Sequence, residues 1–369
     1  MAVFDAAELA FREEVADLLR SRTLGPWQYF RGRGGDTRLL YQELGERGWL
    51  SLSWPIELGG GGRPITYDYL LWDTLAEFRA ARPDLGPGIV AHAIANHGTA
   101  EQRARYLPEL RSGTVCYALG YSEPDAGSDL RGVRTRAMRD GELYRVVGEK
   151  CWTSDAQHAD YLWLLCRTGE PASRARGLTL LVVPMNSDGI TVTPIETMDG
   201  HRLNSVFLDD VVVSADARIG DENEAWDMIR EALAVERHLQ VLPGRLRRDV
   251  ADLGALCARL GGNGDSLAVV DEFAARVRQV EASSLATLAA MVAGRPAVVE
   301  AARTKYLGSI LAQDIPRAAL DLAGVHGMDA AEPCAFLWRQ SFMETIAGGS
   351  VEIMLSIIAE QELGLARAR

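Results

Sequence analysis

Between about Cys116 and Asp210 the chain abandons helical spacing for short apolar runs separated by turn residues, and afterwards it returns to long helical stretches. That change of period constrains the fold more than any other feature. The runs Val115–Leu119, Val133–Met138, Leu143–Val147, Tyr161–Cys166, Leu178–Val183 and Ile190–Pro194 read as strands, with Asp140-Gly141 as a hairpin signal. Upstream, Leu9, Phe11, Val15, Leu18 and Leu19 keep helical spacing, and further helices are expected over Leu39–Glu46, Thr66–Arg82 and Pro87–His97. Thr99 can then cap a short helix with Gln102 reaching back. Loops are expected at Gly25-Pro26-Trp27, Arg31–Gly35 and Gly59–Gly62. Downstream helices are expected over Ala225–Leu242, Arg245–Leu260, Leu267–Ala293, Pro296–Leu322 and Ser350–Leu363. The class is therefore α+β, with a helical N-terminal domain (1–115), a central antiparallel β domain (116–222) and a C-terminal helical bundle (223–369).

Charge and composition narrow the partners. A net charge of -12 with no basic face argues against nucleic acid. No apolar run approaches the roughly 18 residues that cross a bilayer, and no basic amphipathic segment suits a membrane surface. The acidic, amphipathic start does not match a signal or transit peptide, so a cytoplasmic location is expected. The five cysteines are scattered without a C-x-x-C pair, which fits free thiols in a reducing compartment. His158, His201 and His238 are not clustered, so no metal site is expected.

Two stretches carry the chemistry. Gly120-Tyr-Ser-Glu-Pro-Asp-Ala-Gly-Ser-Asp-Leu130 is a loop by composition. Pro124 fixes one backbone angle, Gly127 permits a positive one, and Ser122, Asp125, Ser128 and Asp129 can fold onto nearby amides. Some twenty residues on, Lys150-Cys-Trp-Thr-Ser154 sets an aromatic wall, Trp152, beside the hydroxyls of Thr153 and Ser154. Cys151 reads as packing. On composition alone the first stretch is an ordinary turn. In this order and spacing the two resemble the acyl-CoA dehydrogenase family, flavoproteins in which such a loop and a W-T-S element hold the isoalloxazine ring. Further landmarks agree: Gly98-Thr-Ala-Glu-Gln102 through Tyr106-Leu-Pro108, Gly200-His-Arg-Leu-Asn204, Phe207-Leu-Asp-Asp-Val211 and Ile219-Gly-Asp-Glu-Asn223.

The resemblance implies FAD as cofactor and α,β-dehydrogenation of an acyl thioester such as acyl-CoA. A carboxylate takes the α proton while flavin N5 accepts the β hydride, and donors polarise the thioester carbonyl. Relatives place the base either before the last helix or in an L-x-x-E-R string on the first C-terminal helix. Here Gly348 stands at the first position and cannot remove a proton. Leu233-Ala-Val-Glu236-Arg237 fills the second, as in isovaleryl-CoA dehydrogenase. By residue type alone Glu236 is a solvated helix glutamate; the resemblance makes it the base, while Glu344, a few residues before Gly348, is its internal rival and reads as structural. Gly348 and Gly349 fall where backbone N–H groups approach the thioester carbonyl, though a glycine-hinged cap is the plainer reading. Carry-over gives Tyr121, Ser122, Gly127, Ser128, Trp152, Thr153, Ser154, Ser350 and Glu352 toward the flavin. It gives Ser128, Arg237 and Gly349 toward the substrate, Arg237 alternatively pairing with an acid.

The pattern departs in the region that would hold the AMP half of FAD. No R-x-x-F-G string follows the first C-terminal helix, and Asp321 and Val325 replace a Gln and a Gly of the family's Q-x-x-G-G-x-G. The Gly-Tyr-Ser-Glu-Pro and Ile346-Ala-Gly-Gly349 strings resemble the heteromeric, steroid-degrading branch, so a homo- or hetero-oligomer of family subunits is expected, with an electron-transfer flavoprotein as acceptor. Three alternatives stay open: a partner-dependent or non-catalytic subunit, a flavin oxidase or monooxygenase of the same fold, and a dehydrogenase acting on an acyl carrier protein.

Overall fold

The structure, a computed structural model, describes residues 4–24, 30, 36–83, 85–262, 264–329 and 332–366, with backbone only at 36, 234–236 and 328. The expected loops at Gly25–Trp27 and Arg31–Gly35 lie outside the described residues. In chain order the elements are α1 (Ala6–Arg20), α2 (Asp36–Glu46), α3 (Thr66–Glu77), α4 (Ala91–His97) and α5 (Ala100–Ser112). There follow β1 (Tyr117–Gly120), β2 (Arg136–Asp140), β3 (Leu143–Lys150), β4 (Tyr161–Arg167), β5 (Leu178–Pro184), β6 (Ile190–Glu196), β7 (Arg202–Ser214) and β8 (Arg218–Ile219). The last are α6 (Ala225–Gln240), α7 (Pro243–Arg259), α8 (Gly264–Val292), α9 (Val298–Ala323), α10 (Pro333–Glu344) and α11 (Val351–Gln361). The chain forms two compact units. One gathers Met1–Tyr29, Arg63–Pro83 and Ala234–Arg369, the other Phe30–Gly62 and Asp84–Leu233, the division falling within α6.

The second unit holds the sheet, in the order β6-β7-β3-β2-β4-β5-β8 with β1 on β4. Most pairings are antiparallel, as expected, but β1 and β2 meet β4 in parallel. The chain leaves β1, makes the β2–β3 hairpin and returns along β4 in β1's direction, so the sheet is mixed. Strands β4 and β5 are buried on both faces, which explains their unbroken apolar sequences. Trp163, Leu165, Leu180 and Val182 face a core shared with α4, α5 and the start of α6. Leu162, Leu164, Leu181 and Val183 alternate into a second core with Tyr144, Val146, Val206 and Val211. The Thr99 capping box forms as expected, and the Gln102 amide also reaches the carbonyls of Asp216 and Arg218 at 2.7 and 2.8 Å.

The first unit is helical. Leu246, Val250 and Leu253 of α7, Phe273 and Val277 of α8, and Leu311 and Ile315 of α9 form its apolar core. A partly buried ionic seam lies beside them. Arg79 engages Asp249 and, at 2.6 Å, Asp252; Arg247 meets Asp73 at 2.6 Å, Glu281 at 2.7 Å and Glu77 at 2.9 Å. Asp73 also accepts the amide of Gly244 at 2.6 Å, serving the first turn of α7 from another helix. The helix expected over Thr66–Arg82 stops at Glu77, because Arg79 turns to a φ of 51° where it pairs with α7. Helix α10 has no counterpart in the sequence reading.

Candidate functional site

Within the sheet-bearing unit the two motif stretches come together. The Cys151 amide donates to the Ser122 carbonyl at 3.0 Å. The loop closes on itself across Pro124-Asp125: Glu123 and Ala126 exchange amide–carbonyl bonds at 3.0 and 3.1 Å, with proline at the second turn position. Two expectations about this loop need correction. Gly127 does not take a positive φ, and a Cβ there would meet nothing within 4 Å. Asp125 and Asp129 do not bind nearby amides; they pair with Arg134 (3.0 Å), and with Arg131 (2.9 Å) and Arg174. The amide-binding carboxylate is Glu123, which accepts from the backbone N–H of Arg134 at 2.6 Å and of Thr135 at 2.8 Å. The buried Glu123 side chain reaches amides eleven and twelve residues further on, whereas the two aspartates sit at exposed positions where arginines reach them.

Glu123 has a buried counter-charge. Lys150 is wholly buried, its Nζ 2.7 Å from Glu123 Oε1 and 3.2 Å from the Tyr121 carbonyl. Burial alone would raise the Glu123 pKa, but Lys150 and the hydrogen bonds hold it below the usual carboxylate range. Burial lowers the Lys150 pKa despite the partner. Tyr121 is buried and accepts a hydrogen bond from Trp163 Nε1 at 3.1 Å; Ser122 is half-buried, and Gly127, Ser128 and Ser154 are exposed.

Trp152 is held in an uncommon state. Its φ is 60°, left-handed for a bulky residue, and its side chain is 59 % exposed. Thr153 is clamped next to it: its amide donates to the Asn204 carbonyl at 2.9 Å, and Asn204 Nδ2 donates to the Thr153 carbonyl at 3.0 Å. Arg202 and Gln157 hold the Asn204 side chain in turn, at 3.0 and 2.6 Å. Thr153 Oγ1 is buried without a hydrogen-bond partner among the described residues. An outward indole beside a buried, unpaired hydroxyl is a donor set that fits a flat, polar heterocycle such as a flavin. Burial pushes the Cys151 thiol up to about 11, in keeping with a packing role.

The helical unit carries the remaining expected residues. Gly348 and Gly349 both have left-handed backbones, φ 67° and 98°, immediately before α11. A Cβ on Gly349 would lie 2.9 Å from Met354 Cε and 3.8 Å from Arg237 Nε, so that glycine and Arg237 are close neighbours. Ser350 caps α11, its Oγ accepting from the Ile353 amide at 3.4 Å. Glu352 is exposed in the first turn, where Ser350 and its own amide lower its pKa. Glu236 lies on α6, but its side chain is outside the described residues. Glu344, the other acid near the last helix, is wholly buried. Arg82, Arg245 at 2.7 Å and Gln340 at 2.7 Å surround its carboxylate, and Lys305 bonds its carbonyl at 2.5 Å.

A groove of about 1150 Å³ in the sheet-bearing unit is lined by Gln102, Tyr106, Asp221 and Asn223 of the landmark strings, with Arg105 and Trp226, and contains none of the residues expected to touch flavin or substrate. Among the described residues no group of three His, Cys, Asp or Glu side chains could hold a metal ion, and no helix is long and apolar enough to cross a membrane. Sequence reasoning missed Glu123, Lys150 and the clamping role of Asn204. The signal available was charge inside otherwise apolar or turn segments.

A mixed sheet packed with α4 and α5, with an outward indole beside a Ser/Gly loop, makes this an α+β protein with a candidate site for a flat ligand. The chain belongs to the acyl-CoA dehydrogenase family: the family models for its N-terminal, middle and C-terminal domains match residues 5–114, 118–211 and 224–363. It is 34 % identical over 371 residues to acyl-CoA dehydrogenase FadE26 of Mycobacterium tuberculosis, covering 95 % of this chain and 93 % of that one. Among solved structures, the Tcur3481-Tcur3483 steroid ACAD superposes with a TM-score of 0.92 at 29 % identity, over the whole of both chains. The ChsE4-ChsE5 complex from Mycobacterium tuberculosis gives 0.90 at 29 % identity, over 99 % of each chain. The protein is thus an oxidoreductase acting on CH–CH groups, in a family of flavoproteins.

Proposed function

We propose that this chain catalyses FAD-dependent α,β-dehydrogenation of an acyl thioester, with Glu236 as the base that takes the α proton. The observation that carries the reading is the Trp152–Thr153 element: an exposed indole on a left-handed backbone beside a buried hydroxyl without a partner. In this reading Tyr121, Ser122, Gly127, Ser128, Trp152, Thr153, Ser154, Ser350 and Glu352 bind FAD, which when bound supplies the hydride acceptor. Gly348 and Gly349 bring backbone N–H groups to the thioester carbonyl. Their left-handed angles suit a close approach that a side chain would hinder. Arg237, beside Gly349, holds the nucleotide end of acyl-CoA, with Ser128 on the pantetheine side. The functional division 1–115, 116–222 and 223–369, a cytoplasmic location and an electron-transfer flavoprotein as acceptor belong to the same reading. The test is a panel of acyl thioesters, steroid-derived ones included, added to the FAD-loaded protein. Bleaching of the flavin band by at least one is expected, and bleaching by none overturns the proposal.

A second reading concerns assembly. Asp321 and Val325 depart from the family's glycine-rich element, Val325 being 79 % exposed. The two structural relatives are each named for a pair of different subunits. These features support a hetero-oligomer with another family subunit, in which FAD binding depends on that partner. Absorption spectra of the protein alone and co-expressed with a related subunit separate the two states.

A further inference from the structure

The buried Lys150–Glu123 pair adjoins both candidate flavin stretches, and the proposed reaction does not use it. Both residues are buried, and their atoms join three segments: the Tyr121 carbonyl, the Arg134 and Thr135 amides, and the end of β3. One residue further on, the Cys151 amide binds the Ser122 carbonyl, and one beyond that Trp152 takes its left-handed angle. A buried ion pair loses about as much in desolvation as it gains in attraction, so neutral residues of similar shape often preserve stability. Removing one partner is different, because it leaves a buried charge unpaired. The presence of both charges at this point therefore asks for a reason other than stability. Nζ can donate to a carboxylate and a carbonyl at once, and the carboxylate can accept two amides besides. A Met–Gln pair lacks the Nζ donor and one carboxylate oxygen, so it cannot make all of these bonds.

We propose that Lys150 and Glu123 are positioning residues whose charges fix the Tyr121–Ser122 loop against the Cys151–Thr153 segment, and so hold Trp152 in place for the flavin. This rests on the flavin reading above for its functional consequence, though not for its geometry. The charge-neutral double variant Lys150→Met/Glu123→Gln should fold with a Tm within a few degrees of the parent. In the ligand-free protein its Cys151 and Thr153 amides should exchange with deuterium at least about 10-fold faster, since opening of the segment is no longer opposed. FAD affinity should weaken by about 10-fold or more. Lys150→Met alone should lower Tm clearly, because Glu123 is left charged and buried, and adding Glu123→Gln should restore it. Unchanged amide exchange in the folded double variant overturns the proposal, as does failure of that variant to fold. Should the parent itself bind no FAD, the flavin reading fails, while amide exchange still decides the positioning role.

Discussion

The main chain of Thr153 is bound on both sides by Asn204, which accepts its amide at 2.9 Å and donates to its carbonyl at 3.0 Å. This pairing ties the residue after Trp152 to strand β7, about fifty positions later in sequence. Asn204→Ala removes the side-chain half and leaves a buried carbonyl unpaired. A loss of about 1–3 kcal/mol is expected, seen as a lower Tm, with faster exchange at Thr153. Asn204→Asp, which cannot donate to that carbonyl, should be no better.

Glu236→Gln should keep bound FAD and lose bleaching by acyl thioester by at least about 100-fold, the contribution of a positioned base. Stopped-flow reduction of the loaded enzyme measures it. Near-normal reduction would remove Glu236 from the role. Glu344→Gln, by contrast, should fail through stability, because the acid it alters is enclosed by cations.

Acid should unfold the helical unit partly through Glu344. Burial would raise its pKa, but Arg82, Arg245 and Lys305 outweigh burial and hold it at about 2, below the ordinary 4.5. Its contribution is complete above the unfolded value and is lost as pH falls from about 4.5 toward 2. Glu344→Ala strands those cations and should cost about 3–5 kcal/mol at neutral pH, read by denaturant titration.

His238 should add a second acid-sensitive term at higher pH. It is fully enclosed, edge-on to Tyr69 at 5.6 Å, and neither ring nitrogen has a hydrogen-bond partner among the described residues. Burial lowers its pKa from 6.5 to about 4. The neutral ring is bound in the folded state and the charged ring only after unfolding, so stability is full above pH 6.5. It declines as pH falls toward 4, by roughly 3 kcal/mol in all. His238→Phe keeps the aromatic packing and should flatten that part of the stability–pH curve; an unchanged slope assigns it to other groups.

The α–β–α order was legible in sequence because period is a local property: helical spacing and buried strands each repeat over a few residues. The Thr99 capping box and the Asp140-Gly141 turn were legible for the same reason. One boundary and one strand direction were not. Helix α3 ends early because Arg79 turns toward aspartates of α7, which lie some 170 residues away in sequence. Strand β1 runs parallel to β4 because of the path between them, which no strand's own residues encode. Within the loop, residue type placed the hydrogen-bonding duty on Ser122, Asp125, Ser128 and Asp129. The structure gives it to Glu123, whose partner Lys150 arrives from another strand.

By itself the sequence determined the family and the class of enzyme, since both are written in the order and spacing of neighbouring residues. Tertiary structure alone decided how those stretches are held. The left-handed angle of Trp152, the enclosure of Lys150 with Glu123 and the grip of Asn204 on Thr153 all depend on strands distant in sequence meeting in a dry interior. Only there do a buried charge or an unpaired polar group carry a free-energy cost large enough to select one geometry.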